Sequence, residues 1–134
     1  MSQLTDLIGV GMPPEQANVL SNDTLTAVPS VSSAAAVTAA GTTLGTATAL
    51  TALVNNVSTA AAGTGVALSA MTPIGAQVVV RNGGANDLKV YTPNGTDAIN
   101  STTGSITLTT AAKQVGVFFK VNATTWVCSV GTGT

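Results

Sequence analysis

Gln77-Val78-Val79-Val80-Arg81-Asn82-Gly83-Gly84-Ala85-Asn86-Asp87-Leu88-Lys89-Val90-Tyr91 is the segment on which the architecture hinges. An apolar run, a cluster of residues that tolerate positive φ, and a second apolar run read as the strand, turn and return strand of a β-hairpin. The same rhythm continues downstream. Pro93-Asn94-Gly95-Thr96 is a second turn, and Ser105-Ile106-Thr107-Leu108-Thr109 alternates with Ile106 and Leu108 inward. Between Gln114 and Val121 the alternation puts Val115, Val117, Phe119 and Val121 on one face and Lys120 on the other. Asn122-Ala123-Thr124-Thr125 turns the chain, and Trp126, Cys128 and Val130 share a face of the last strand. Turn signals at roughly ten-residue spacing predict an all-β sandwich or barrel.

The aromatic residues, only 3% of the chain, are Tyr91, Phe118, Phe119 and Trp126. All lie in the last third, which places the expected core there. Phe119 and Trp126 are its expected anchors, with Val80, Val90, Ile106, Leu108, Val115 and Val117 around them. Upstream, Leu50, Leu53, Val54 and Val57 fit a helix at i, i+3, i+4 and i+7, yet the stretch is also rich in Thr and Val. Periodicity alone leaves helix and strand both open here.

The chain therefore divides by composition. Residues 46–134 carry the β pattern. Residues 23–45 are low-complexity Ser, Thr, Ala and Val with Pro29, and read as an extended linker or strap. Residues 1–22 read as an arm with short helices: Leu4, Leu7 and Ile8 form one apolar face, and Met12-Pro13-Pro14-Glu15 opens a second helix continued by Ala17, Val19 and Leu20. Such helices are too short to hold alone, so Leu4, Leu7, Ile8, Met12, Val19 and Leu20 are the candidate contacts to a partner.

Charge sets the functional limits. Between Asp23 and Arg81 no side chain is ionisable, and only 7% of the 134 residues are charged. A solitary soluble domain carries about a quarter charged residues and uses them to stay apart from its neighbours. A chain this neutral reads as one docked against other protein. Net charge is −1, and Arg81, Lys89, Lys113 and Lys120 are too scattered for a nucleic-acid footprint. Mean hydropathy is +0.45, but Thr, Ser or Gly interrupts every run before the roughly twenty apolar residues of a membrane helix. Cys128 is alone, so no intrachain disulfide forms, which fits synthesis in a reducing cytoplasm.

Catalytic chemistry has few carriers. Without histidine there is no Ser-His-Asp triad, Cys-His pair or His-ligated metal site. Cys128, between Val127 and Ser129, reads as a small buried hydrophobe. Asp87 and Asp97 flank the Leu88–Tyr91 strand, where a weak metal site or a glycosidase pair would need them together; turn capping is the plainer role. Gly63-Thr64-Gly65 and Asn82-Gly83-Gly84 lack the Lys of a phosphate loop and read as turns. Tyr91 and Trp126 would stack sugars if exposed, whereas Trp126, in phase with Cys128, reads as core. No catalytic, cofactor or metal residue is assigned.

The segments Thr46–Thr51 through Val57, Ala62–Leu68, Ile74–Pro93 and Val115–Val121 with Thr125-Trp126 resemble a β module of tailed-phage virion proteins. Leu7-Ile8-Gly9-Val10-Gly11-Met12-Pro13-Pro14 resembles a short leader on such proteins. The resemblance spans roughly residues 1–20 and 46–130 and transfers no catalytic residue. It implies a jelly-roll-like β-sandwich and tips the stretch after Thr46 toward strand. It also implies a non-enzymatic capsid decoration (cement) protein on the outer virion surface, homo-oligomeric as dimer or trimer, whose partner is the major capsid protein. The alternative is a head- or tail-fibre component recognising a host glycan, which exposed Trp126 and Tyr91 would favour.

Overall fold

The computed structural model describes residues 32–133. The chain divides into two units, Met1–Ser32 and Ser33–Thr134. Residues 33–45, read from composition as strap, thus belong to the second unit. The arm residues Leu4, Leu7, Ile8, Met12, Val19 and Leu20, and the short helices expected around them, lie outside the described residues.

The second unit is all-β, but it is a β-solenoid of about four turns and not a jelly-roll sandwich. Three rungs follow one another. The first comprises β1 (Ser33–Thr38) and β2 (Thr48–Ala49), and the second β3 (Val54–Thr59) and β4 (Gly65–Ala67). The third comprises β5 (Gln77–Asn82) and β6 (Leu88–Tyr91). In one sheet β1, β3 and β5 lie parallel in sequence; in the other β2, β4 and β6 do the same. After β7 (Ala98–Ile99) and β8 (Thr102–Thr103), a fourth rung runs the opposite way. Its β9 (Ser105–Leu108) is antiparallel to β6, and its β10 (Val115–Lys120) is antiparallel to β5. β11 (Thr125–Gly131) pairs antiparallel with β10, and β7 and β8 extend the seven-stranded sheet beyond it. The stretch left open between helix and strand is strand at Val54–Thr59.

The hairpin expected over Gln77–Tyr91 does not form. β5 and β6 belong to different sheets, so Asn82–Asp87 is an arch between sheets. A hairpin and an arch share one local signature, since both need an apolar run, turn residues and another apolar run. They differ in where the strands find their partners, and that is a long-range matter. Asn82 builds the bend. Its buried Nδ2 donates to Asn86 O and Leu108 O, both at 2.9 Å, and its Oδ1 accepts from Gly84 N at 3.1 Å. Gly83 N donates to Val57 O at 2.8 Å, and Asn86 Nδ2 to Ala60 O at 2.9 Å, tying this arch to the rung below. Neither Gly83 nor Gly84 has a positive φ. They are small for reasons of space: a Cβ on Gly84 would stand 2.6 Å from Ala60 N and 2.7 Å from Ala60 Cβ.

The core lies between the sheets. Val57, Val78 and Val80 from one and Val66, Leu88 and Val90 from the other join a single buried cluster with Ile99, Leu108, Phe118, Trp126 and Cys128. Trp126, Val80, Val90 and Leu108 are buried as expected, with Ile106 packed partly against them. Phe119 is not. On β10 the inward residues are Gly116 and Phe118, while Val115, Val117 and Phe119 are half-buried and Val121 is exposed. The alternation was real but its direction was inverted. The inner face of β10 holds a glycine and a lysine, which pattern reading takes for polar or empty positions. Gly116 must be bare because a Cβ there would meet Phe118 Cε2 at 2.7 Å and Cys128 Sγ at 3.2 Å. Lys120 runs beside the core, with Nζ 5.6 Å from the Trp126 ring centroid and donating to Thr72 O at 2.9 Å. Val130, in phase with Trp126 and Cys128, is exposed near the strand end.

Candidate functional site

The described surface holds little chemistry and one conspicuous apolar tip. The segment between β4 and β5 leaves the core at buried Leu68. Thr72 N donates to Ser69 O at 3.2 Å, Met71 N to Ser69 Oγ at 3.1 Å and Ala76 N to Pro73 O at 3.1 Å, closing two turns. Gly75 N donates to Lys120 O at 2.7 Å and Lys120 N to Ala76 O at 3.2 Å, so the loop is stitched to the end of β10. Gly75, at φ +91, adopts a backbone conformation that suits glycine. This scaffold holds Met71 and Ile74 in solvent, 87% and 62% exposed, with Val121 also exposed beside the stitched strand. Behind Met71 a notch of about 140 Å³ opens between the loop and residues 50–53, lined by Leu50, Leu53, Pro73 and Val78 among others.

Large apolar side chains on a hydrogen-bonded loop lower their free energy by leaving water, at about 25 cal/mol per Å² covered. The arrangement suits adhesion. Sequence reasoning did not single out Met71 and Ile74. The available signal was a pair of bulky residues on either side of Pro73, with Gly75 next, in a segment without strand alternation.

Asp87 and Asp97 serve separate turns. Asp97 is buried: its Oδ1 accepts from Asn94 Nδ2 at 2.9 Å, and its amide donates to Asn94 Oδ1 at 3.0 Å. Asp87 is exposed, and its Oδ1 accepts from Thr110 N at 2.9 Å. Among the described residues no three His, Cys, Asp or Glu side chains gather as metal ligands. Cys128 is buried, and desolvation pushes its thiol up to about 11, which suppresses the thiolate that reacts. Its backbone is clamped by Asn100, whose Nδ2 donates to Cys128 O at 2.7 Å and whose Oδ1 accepts from Cys128 N at 2.9 Å.

The two aromatic candidates for glycan stacking are both inside. Trp126 is wholly buried; Tyr91 is 9% exposed and its hydroxyl donates to Thr42 O at 2.8 Å. No family model, curated protein or solved structure matches this chain.

Proposed function

We propose that this chain is a structural virion protein that decorates and stabilises an assembled tailed-phage capsid. The observation that carries the reading is the fixed apolar tip of Met71, Ile74 and Val121 on a chain with only 7% charged residues. Such a surface supports attachment by apolar burial and backbone hydrogen bonding. The arm residues Leu4, Leu7, Ile8, Met12, Val19 and Leu20 supply further apolar contact to the major capsid protein in this reading. Binding to a surface present only in the assembled shell stabilises that shell by mass action. The solenoid replaces the sandwich that the family resemblance implied, so the apolar surface supports attachment to other protein, and the capsid as that partner follows the resemblance of the quoted segments and not fold analogy. Exposed Trp126 and Tyr91 would have favoured the glycan-recognising fibre reading, and both are buried.

The test is saturable binding to purified mature shells, with bound copies per shell read by gel densitometry. Occupancy should persist to about 1 M salt, where the Debye length is about 3 Å. Met71→Asp combined with Ile74→Asp, or deletion of residues 1–22, should reduce it at least about tenfold. Absence of binding to mature shells, or undiminished binding by both variants, overturns the proposal.

A further inference from the structure

The chain holds two Asn-Gly dipeptides, Asn82-Gly83 and Asn94-Gly95. In such a pair the glycine nitrogen is one five-membered ring away from the asparagine Cγ, and no Cβ on the glycine screens its approach. The sequence puts the two pairs on an equal footing; the structure separates them. Asn82 is wholly buried, and each of its reacting groups is committed. Its Nδ2 donates to Asn86 O and Leu108 O, its Oδ1 accepts from Gly84 N, and Gly83 N, the would-be nucleophile, donates to Val57 O at 2.8 Å. Ring closure there has to wait until the arch opens. Asn94 instead stands exposed on the turn between β6 and β7. Its Oδ1 accepts from Thr96 N and Asp97 N, both at 3.0 Å. Two backbone donors on one carbonyl oxygen draw electrons from Cγ, and they stay in place as that oxygen turns anionic. Gly95 N donates to the Thr92 hydroxyl oxygen at 3.2 Å, the long end of the hydrogen-bond range.

We propose that Asn94-Gly95 is a self-modification site, converted to aspartate and isoaspartate in the folded protein while Asn82-Gly83 is shielded. Hydroxide takes the Gly95 amide proton, and the nitrogen bonds to Asn94 Cγ. The Cγ–Nδ2 bond then breaks, and that nitrogen leaves as ammonia after taking a proton from water. A water molecule opens the resulting succinimide at either carbonyl. The net change is one water in and one ammonia out. Either product carries a carboxylate where the amide now donates to Asp97 Oδ1 at 2.9 Å, so two like charges face each other. Isoaspartate also lengthens the backbone of the turn that leads into β7, where Ile99 is wholly buried. Conversion therefore loosens the closed end of the solenoid and marks the age of the molecule.

The inference does not rest on what the apolar tip binds. Peptide mass mapping of the full chain, held near pH 8 in buffer and in parallel in concentrated urea, is the experiment. Each conversion adds about 1 Da and one negative charge. In buffer, position 94 should convert at least about tenfold faster than position 82, because the buried arch has to open first. In urea the two rates should draw together, since the tertiary shielding is gone. Asn94→Gln, whose longer side chain would have to close a larger ring, should remove the early charge variant on ion exchange. The variant isolated from aged wild type should unfold at a lower urea concentration than its parent. An unconverted Asn94 in the folded chain, equal rates at 94 and 82 in buffer, or an early charge variant that persists in Asn94→Gln overturns the site. A converted form as stable as its parent overturns the loosening.

Discussion

The parallel rungs and the antiparallel end that closes them are built from different residues. Inside the rungs the fully buried side chains are aliphatic, as at Val57, Val66, Val80, Leu88 and Val90. At the far end two fully buried aromatic side chains, Phe118 and Trp126, join Ile99 and Leu108. Topology explains the change. Each rung interior has strands on both sides, so backbone ladders satisfy the polar groups and neighbouring rungs fill the space. The four-stranded sheet stops at β9, while the seven-stranded sheet continues through β11, β7 and β8. Beyond that edge no facing strand lies among the described residues, and the Trp126 side chain of β11 fills the space. The rungs are therefore sensitive to added atoms, and the end to removed ones.

The sharpest test of that contrast is a pair of neighbouring residues. Phe118→Ala should cost roughly 3–5 kcal/mol through the cavity it leaves, a large share of a small domain's stability. Phe119→Ala, on the opposite face of the same strand, should cost about 1 kcal/mol or less. Urea unfolding measures both, and equal losses would break the assignment of faces.

The rungs should fail by crowding. Gly84→Ala forces a Cβ against Ala60 and should cost about 1–3 kcal/mol. Adding Ala60→Gly should restore only part of this, because the nearest atom is the backbone nitrogen of residue 60. Full restoration would show the rungs to be looser than described.

The arch should depend on Asn82 to a similar or smaller extent. Asn82→Ala leaves Leu108 O, Asn86 O and Gly84 N without their partner, at a cost of about 1–3 kcal/mol. Hydrogen exchange should show earlier opening around residues 82–87 than at β11, and uniform opening would contradict a local role for Asn82.

The smallest effect concerns Cys128 at the closed end. Burial raises its thiol from an ordinary value of 9.0 to about 11. Below pH 9 the thiol is protonated whether the chain is folded or unfolded, and stability is unaffected. Above it the unfolded chain ionises first, so stability falls as pH rises through about 11. Unfolding midpoints from pH 8 to 11 should decline less steeply for Cys128→Ala than for the wild type. At pH 8, labelling of the native thiol should be slow and should track unfolding; rapid labelling would place Cys128 at the surface.

Composition and alternation placed strands at 77–81, 88–91, 105–109 and 114–121 and a last one through Trp126, Cys128 and Val130, close to the strands observed in the all-β unit, because period-two patterning and turn residues act locally. They also sufficed for the burial of Trp126 and the turn roles of Asp87 and Asp97, which follow from side-chain size and short-range hydrogen bonding. Pairing was beyond their reach. Whether β6 returns beside β5 or crosses to lie on β4 depends on backbone partners tens of residues away, and the same Asn82–Asp87 segment serves either course. The direction of β10 was hidden for a related reason. Both of its faces carry apolar residues, and only the space around Gly116, shared by Phe118 and Cys128, shows which one is inside. The Met71 and Ile74 tip likewise emerged only from tertiary contacts, because backbone bonds to Lys120 hold in solvent two side chains that hydrophobicity alone would bury.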